Sequence, residues 1–225
     1  MTLDQARSAN TVNEITAITN STGPTWATPA YNAAGNTTTL PQPADPTKSY
    51  TGTYDAWNRL VRLEQQILNP LPTLVKVSEN EYDARNFRTV RKDYTLGVLA
   101  TARHFYYTPS WRCVEERLGS TPDTAAPDRQ FVWGTRYIDD LVCRDRSVTG
   151  TLDERLYATQ DANWNVVALT DTSGTVQERY AYSPFGWPII LDGTMSNIRI
   201  SSTFDIECLF TSQRFDGTTR LHLFR

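Results

Sequence analysis

Apolar and polar residues alternate along most of this chain in short runs, and Gly, Pro, Asn and Asp break those runs at close intervals. Period-two alternation gives a strand one apolar face, and the breakers supply turns, so the pattern predicts an all-β chain. Apolar residues seldom recur at three- and four-residue spacing. Only residues 2–18 and 108–118 offer a helical turn or two. The clearest hairpins are predicted over 155–182. A run from Arg155 meets a polar turn at 161–165, where Asn163 and Asn165 suit left-handed backbone. A second run, 166–170, leads to a turn in which Asp171 can accept backbone amides and Gly174 can take positive φ. The return strand puts Val176, Tyr180 and Tyr182 on one face, with Thr175, Gln177 and Arg179 on the other. Pro184 and Gly186 close it with a further turn.

A formula recurs upstream. Tyr31, Tyr54 and Tyr82 each end an incoming strand, and Asn32, Asp55 and Asp83 open the turn that follows. Gly35, Asn58 and Asn86 stand where positive φ is expected. The unit is strand, Asx-type turn, strand; a single unit cannot bury its aromatic face, so neighbours must stack. Pro41, Pro43 and Pro46 stiffen one connector, while 119–127 and 147–150 read as surface loops. None is a true interdomain linker. The expectation is one continuous array over 1–225, with units near 31–61, 82–107 and 129–146 and a distinct segment at 155–216.

Composition narrows the function classes. The net charge of −3 and 21% charged residues leave no footprint for nucleic acid, and no apolar run is long enough for a membrane helix. The first residues carry no apolar h-region, so no secretory signal is read and localisation stays undetermined. Cys113, Cys143 and Cys208 are too far apart in sequence for a disulfide framework or zinc site and read as small buried hydrophobes. Asp139 and Asp140 are adjacent, but strand neighbours point to opposite faces, so they read as solvated or Arg-paired positions and not as an acid/base dyad. His104 and His222 have neither metal spacing nor a legible triad around them. No catalytic, metal or cofactor residue is assigned, and no cofactor is expected. Phe105, Tyr106, Tyr107, Trp133, Tyr137, Tyr157, Trp164, Tyr180 and Tyr182 could form a sugar-stacking or peptide-binding platform, but packing between strands is favoured.

The Tyr-Asp-Ala-x-Asn units at 54–58 and 82–86 resemble the YD repeats of the Rhs family. The stretch 129–142, with Trp133, is similar to the strand pair preceding that family's core motif. The segments 156–171, 178–186 and 209–216 resemble core segments in family order, in a phrasing similar to planctomycete-type members. Asn32, Ser183 and Ser212 depart from the usual residues. The downstream aspartate-proline region, where self-cleaving members keep aspartyl-protease residues, has no counterpart, which counts against a self-processing protease. Met1 starts inside a repeat-like unit and Arg225 stops inside a strand, so the expectation is a truncated or decayed piece that associates or aggregates alone.

The resemblance implies long antiparallel hairpins in a curved, spiralling sheet, which full-length relatives wind into a shell around a C-terminal polypeptide, commonly a toxin. It implies a non-catalytic structural role. The partners implied are flanking Rhs segments and an encapsulated effector, in proteins that are secreted or cell-surface. The structural residues expected to matter are Tyr54, Asp55, Asn58, Tyr82, Asp83, Asn86, Trp133, Asp171, Gly174, Tyr182, Pro184 and Gly186. The alternative is a carbohydrate- or cell-surface-binding β module using exposed aromatics.

Overall fold

The computed structural model describes residues 3–68, 70–122 and 125–224. Outside it lie both chain ends, the start of the 2–18 window and part of the 119–127 loop. Among the described residues there is no α-helix, and the one helical element is a short 3-10 turn at Phe210–Ser212. The chain is all-β. Strands β1 (Asp4–Ala9) and β2 (Ile15–Thr22) form a separate antiparallel pair. Then come β3 (Ala30–Tyr31), β4 (Thr37–Pro41), β5 (Ser49–Tyr54), β6 (Leu60–Leu68) and β7 (Pro72–Tyr82). Next are β8 (Arg88–Thr95), β9 (Val98–Tyr107), β10 (Cys113–Leu118), β11 (Ala126–Trp133) and β12 (Leu141–Ser147). They are followed by β13 (Leu152–Gln160), β14 (Val166–Thr170), β15 (Val176–Tyr182), β16 (Pro188–Asp192) and β17 (Ile198–Arg199). A last pair, β18 (Arg214–Phe215) and β19 (His222–Leu223), is antiparallel.

Strands β3 to β17 follow one another in a single sheet in chain order. Both helical windows are therefore corrected. Residues 4–9 and 15–22 are strands with largely solvated side chains, so polar residues on both faces hid the period-two signal. Residues 108–112 form a tight turn and Cys113–Leu118 is β10.

The chain divides into two compact units. The first comprises Met1–Tyr82, Val90–Ala102 and Thr218–Arg220, with Tyr50, Leu63 and Val77 among its buried apolar residues. The second comprises Asp83–Thr89, Arg103–Gly217 and Leu221–Arg225, and its core is larger. Phe105, Phe131, Leu141, Leu156, Val166, Leu169, Tyr180 and Ile190 are buried there against Ile206, Cys208 and Leu209. Those last three belong to a strap, residues 202–216, that covers the apolar face of this unit's strands. On β15 the even-numbered side chains face inward: Glu178 and Tyr180 are buried while Ala181 is exposed.

Candidate functional site

One local device recurs along the chain: a five-residue turn with the same backbone bonds each time. In residues 55–59, the Asp55 N–H donates to the Arg59 carbonyl and the Asn58 N–H to the Asp55 carbonyl, both at 3.0 Å. The same pair of bonds closes the turns at 10–14, 32–36, 83–87, 108–112, 161–165, 171–175 and 183–187. This is a type I turn followed by a left-handed residue, which opens hairpins with a bulge. The first side chain completes it. Asp55 Oδ1 accepts the amides of Trp57 and Arg59, at 2.9 and 3.0 Å. Asn32, Asp83, Asp161 and Asp171 do likewise with their own third and fifth amides. Ser183 takes the Asp role at its turn, its Oγ accepting the Trp187 amide at 3.1 Å.

The fourth residue always carries positive φ: 63° at Asn58, 67° at Asn86, 84° at Gly174 and 81° at Gly186. Pro184 sits second in its turn, where a fixed φ near −65° fits a type I turn. The 161–165 turn corrects the sequence reading. Trp164, at φ 64°, is the left-handed residue there, and neither asparagine is. Trp111 does the same at 67°. Residue type gave no warning, because Trp has no preference for this region.

A second bond links most of these turns to an earlier part of the chain. The hydroxyl of Tyr54, just before its turn, donates to the carbonyl of Thr37, just after the turn at 32–36, at 2.9 Å. Tyr82 reaches Leu60 at 3.0 Å, Tyr107 reaches Arg88 at 3.1 Å, and Tyr182 reaches Val166 at 2.5 Å. Trp133 serves with its indole N–H, donating to the Cys113 carbonyl at 2.7 Å. At Tyr31 the polarity reverses, and its hydroxyl accepts the Ile15 amide at 3.3 Å. Gln160 replaces the aromatic before the 161–165 turn and donates its amide to the Asp139 carbonyl at 2.8 Å. Asp171 and Gly174 share the turn geometry, but Thr170 precedes them and no aromatic cap is made there. A strand is shifted in register beside these turns, as between Thr53 and Tyr54 or Val132 and Trp133. The extra residue needed to close the turn causes that shift.

The second unit also carries a layer of buried charge that no local pattern announced. Glu116, on β10, is fully buried and lies 2.5 Å from Arg214, 2.9 Å from Arg103 and 3.3 Å from Arg129. Burial pushes its carboxyl up, but the three guanidiniums outweigh that and hold it below its ordinary value. Arg214 also pairs with Glu207 at 2.6 Å. Nearby, Glu178 is fully buried against Arg199 at 2.8 Å and against the hydroxyls of Tyr180 and Ser202. Arg144 donates to the Phe204 carbonyl and to Glu154, the latter at 2.6 Å. The strap is bonded along its length: Val166 N–H to Leu209 at 3.0 Å, Thr211 N–H to Asn165 Oδ1 at 2.8 Å, and Gln213 to Asp139 at 3.0 Å.

The remaining chemistry-bearing residues are absorbed by packing. Asp139 and Asp140 lie in the loop before β12 and not on a strand, and both are buried. Asp140 takes both nitrogens of an Arg136 fork, at 2.5 and 3.0 Å, and a side chain at Gly134 would collide with it. His104 is buried on β9 with Nε2 3.0 Å from the Gly119 carbonyl. His222 sits among Phe210, Phe215 and Phe224, and burial lowers its pKa. All three cysteines are free and buried, and burial pushes the Cys113 thiol up to about 12. Among the described residues no cluster of His, Cys, Asp or Glu could hold a metal ion. A cleft of about 430 Å³ opens beside Tyr137, Trp164 and Phe210.

Fold and site together define an all-β protein of stacked hairpins whose turns are linked by aromatic caps. No family model matches the sequence, and no curated protein sequence does. Among solved structures, a Photorhabdus luminescens Tc holotoxin pore with a TccC3 variant matches 99% of this chain, with 9% identity and a TM-score of 0.37. A crystal structure of TcdB2-TccC3 matches 98%, with 11% identity and the same TM-score of 0.37. A TcdB2-TccC3-Cdc42 structure matches 98%, with 11% identity and a TM-score of 0.36. The chain spans about 15% of the length of each of these solved chains.

Proposed function

We propose that this chain is a non-catalytic wall segment of an Rhs/YD-repeat shell, one that encloses or presents a C-terminal effector polypeptide. The observation that carries this reading is the turn-to-turn ladder, in which Tyr54, Tyr82, Tyr107, Trp133 and Tyr182 each bond the carbonyl just beyond a preceding turn. Such a ladder makes each hairpin the template for the next, which is how an array extends by stacking. The motifs at 54–58, 82–86, 178–186 and 209–216 support the family assignment. Tyr54, Asp55, Asn58, Tyr82, Asp83, Asn86, Trp133, Asp171, Gly174, Tyr182, Pro184 and Gly186 then act structurally, by shaping turns and joining them. Its partners would be neighbouring Rhs segments and the polypeptide they surround.

Co-expression with flanking Rhs segments, followed by electron microscopy and protease digestion, tests this. The expected result is a hollow particle that contains this chain and protects an internal polypeptide. A chain that stays separate from those segments, as a monomer with its own cooperative unfolding, would overturn the proposal.

A further inference from the structure

The tips of the β6–β7 and β8–β9 hairpins lie side by side in the first unit, where a Cβ added to Gly97 would stand 3.3 Å from Val75. Residues 65–75 and 94–102, which form these ends, contain no Asp, Glu, Lys or Arg, although 21% of the chain is charged. Leu68, Leu71, Leu96 and Val98 are 79%, 73%, 70% and 71% exposed, and Leu74 and Leu99 about half. Successive strand residues point to opposite faces, and Val98, Leu99, Ala100 and Thr101 are exposed one after another. The tip is therefore open on both faces. Further along β9 the pattern inverts, and Ala102 to Phe105 are all buried. The β8–β9 turn is also built against its local preference. Only Leu96, at φ 50°, and Gly97, at φ 81°, separate the two strands. Asn is favoured at the first place in such a turn, because left-handed backbone is strained for Leu.

The surroundings of the tips define what covers them. A flat protein surface covers one face of a hairpin, whereas lipid surrounds both. Pro70 and Pro72 carry no N–H, which lowers the number of donors that need water at the β6–β7 end. Behind the apolar ends stands a belt suited to the membrane–water boundary: the Lys76 ammonium lies 5.3 Å from the Tyr94 ring centroid, and the Tyr94 hydroxyl donates to Glu79. Pro72 to Lys76 spans about 13 Å of strand, less than half of a hydrocarbon core of about 30 Å, so the tips reach into one leaflet and do not cross. The lysines that border the tips in sequence are already paired, Lys76 with Glu79 at 2.8 Å and Lys92 with Glu81 at 2.6 Å. Apolar burial, and not attraction to anionic headgroups, is what this surface offers.

We propose that these two adjacent, charge-free hairpin tips insert together into one leaflet of a lipid bilayer. They would do so whether or not the chain is built into a shell.

Flotation of the 225-residue chain with phosphatidylcholine vesicles tests this. The chain should float with them, and a rise in salt from about 0.1 to 1 M, or added phosphatidylserine, should change the bound fraction by less than about twofold. Leu96→Asn with Val98→Thr suits the turn and the strand while removing apolar surface. This double variant should melt near the temperature of the unchanged chain yet bind vesicles at least about tenfold more weakly. Leu71→Ser, on the other hairpin, should weaken binding several-fold. A chain that stays at the bottom of the gradient overturns the proposal, as does one that floats only with phosphatidylserine and is released by salt. Variants that float like the unchanged chain overturn it too. Light scattering without vesicles decides the rival occupant: a discrete dimer that the double variant breaks, in a chain that does not float, would mean that the tips cover a second copy.

Discussion

The Tyr182 hydroxyl donates to the Val166 carbonyl at 2.5 Å, while the Val166 amide donates to Leu209 of the strap at 3.0 Å. One fully buried residue thus joins the turn ladder to the strap. Tyr182→Phe keeps the ring and strands that carbonyl, at an expected cost of about 1 kcal/mol. Tyr82→Phe should cost less, because the Leu60 carbonyl also accepts the Asn80 amide at 3.2 Å. Urea denaturation of the two variants measures the difference. Equal midpoints would show that the ladder bond at Val166 contributes nothing special.

What the sequence revealed was what chemistry within five residues can encode. Asp55, Asp83 and Asp171 announce their turns because an Asx side chain, two amides and a flexible fourth residue all lie together. The roles of Tyr54 and Tyr82 were only half legible. Their place before the turn is local, but the carbonyl each bonds lies beyond an earlier turn and depends on sheet register. Trp111 and Trp164 stayed hidden because nothing in their type suggests positive φ. The burial of Glu116 and Arg214 was illegible too, because the strap that brings them together returns from far along the chain.

Gly174→Val should damage stability more than Ser173→Ala. At φ 84° a β-branched side chain is strained although nothing lies within 4 Å of the new Cβ, so the penalty is torsional, about 1–3 kcal/mol. Ser173→Ala loses exposed hydroxyl bonds to Asp171 and Thr175, while the two amides that Asp171 accepts remain. Thermal melts that rank the two variants equally would show that backbone conformation at 174 is not limiting.

Acid should weaken the turns over a defined window. Hydrogen bonds, led by that from Asn197, hold the Asp192 carboxyl at about 2, and the Ser173 hydroxyl leads those that lower Asp171. Unfolded aspartate titrates near about 3.9. Native values below the unfolded one mean stabilisation that is complete above about pH 4 and is lost as pH falls toward the native values. The melting temperature should therefore drop between about pH 4 and 2. A double variant, Asp171→Asn with Asp192→Asn, retains an amide-accepting oxygen at each turn and should flatten that drop. An unchanged pH profile in the double variant would assign the acid sensitivity elsewhere.

A separate effect, on the strap, is expected at Glu116. Its carboxylate is fully buried and faces Arg103, Arg129 and Arg214, which keep Asp128, Asp205 and Glu207, respectively, as further partners. Glu116→Gln weakens the buried contacts to all three guanidiniums while each keeps one other carboxylate, a loss of about 1–3 kcal/mol. Because Arg214 belongs to the strap, the first consequence should be its release, read as new protease cleavage between 202 and 216 before the hairpins melt. Removing both charges tests whether attraction or burial of an unmatched ion sets the cost. Glu116→Leu with Arg214→Leu should destabilise by less than the sum of the two single changes, since either single change already removes the 2.5 Å contact between the two. Strict additivity, with the strap still protected in Glu116→Gln, would mean that the apolar contacts of Ile206 and Leu209 hold the strap without help from this cluster.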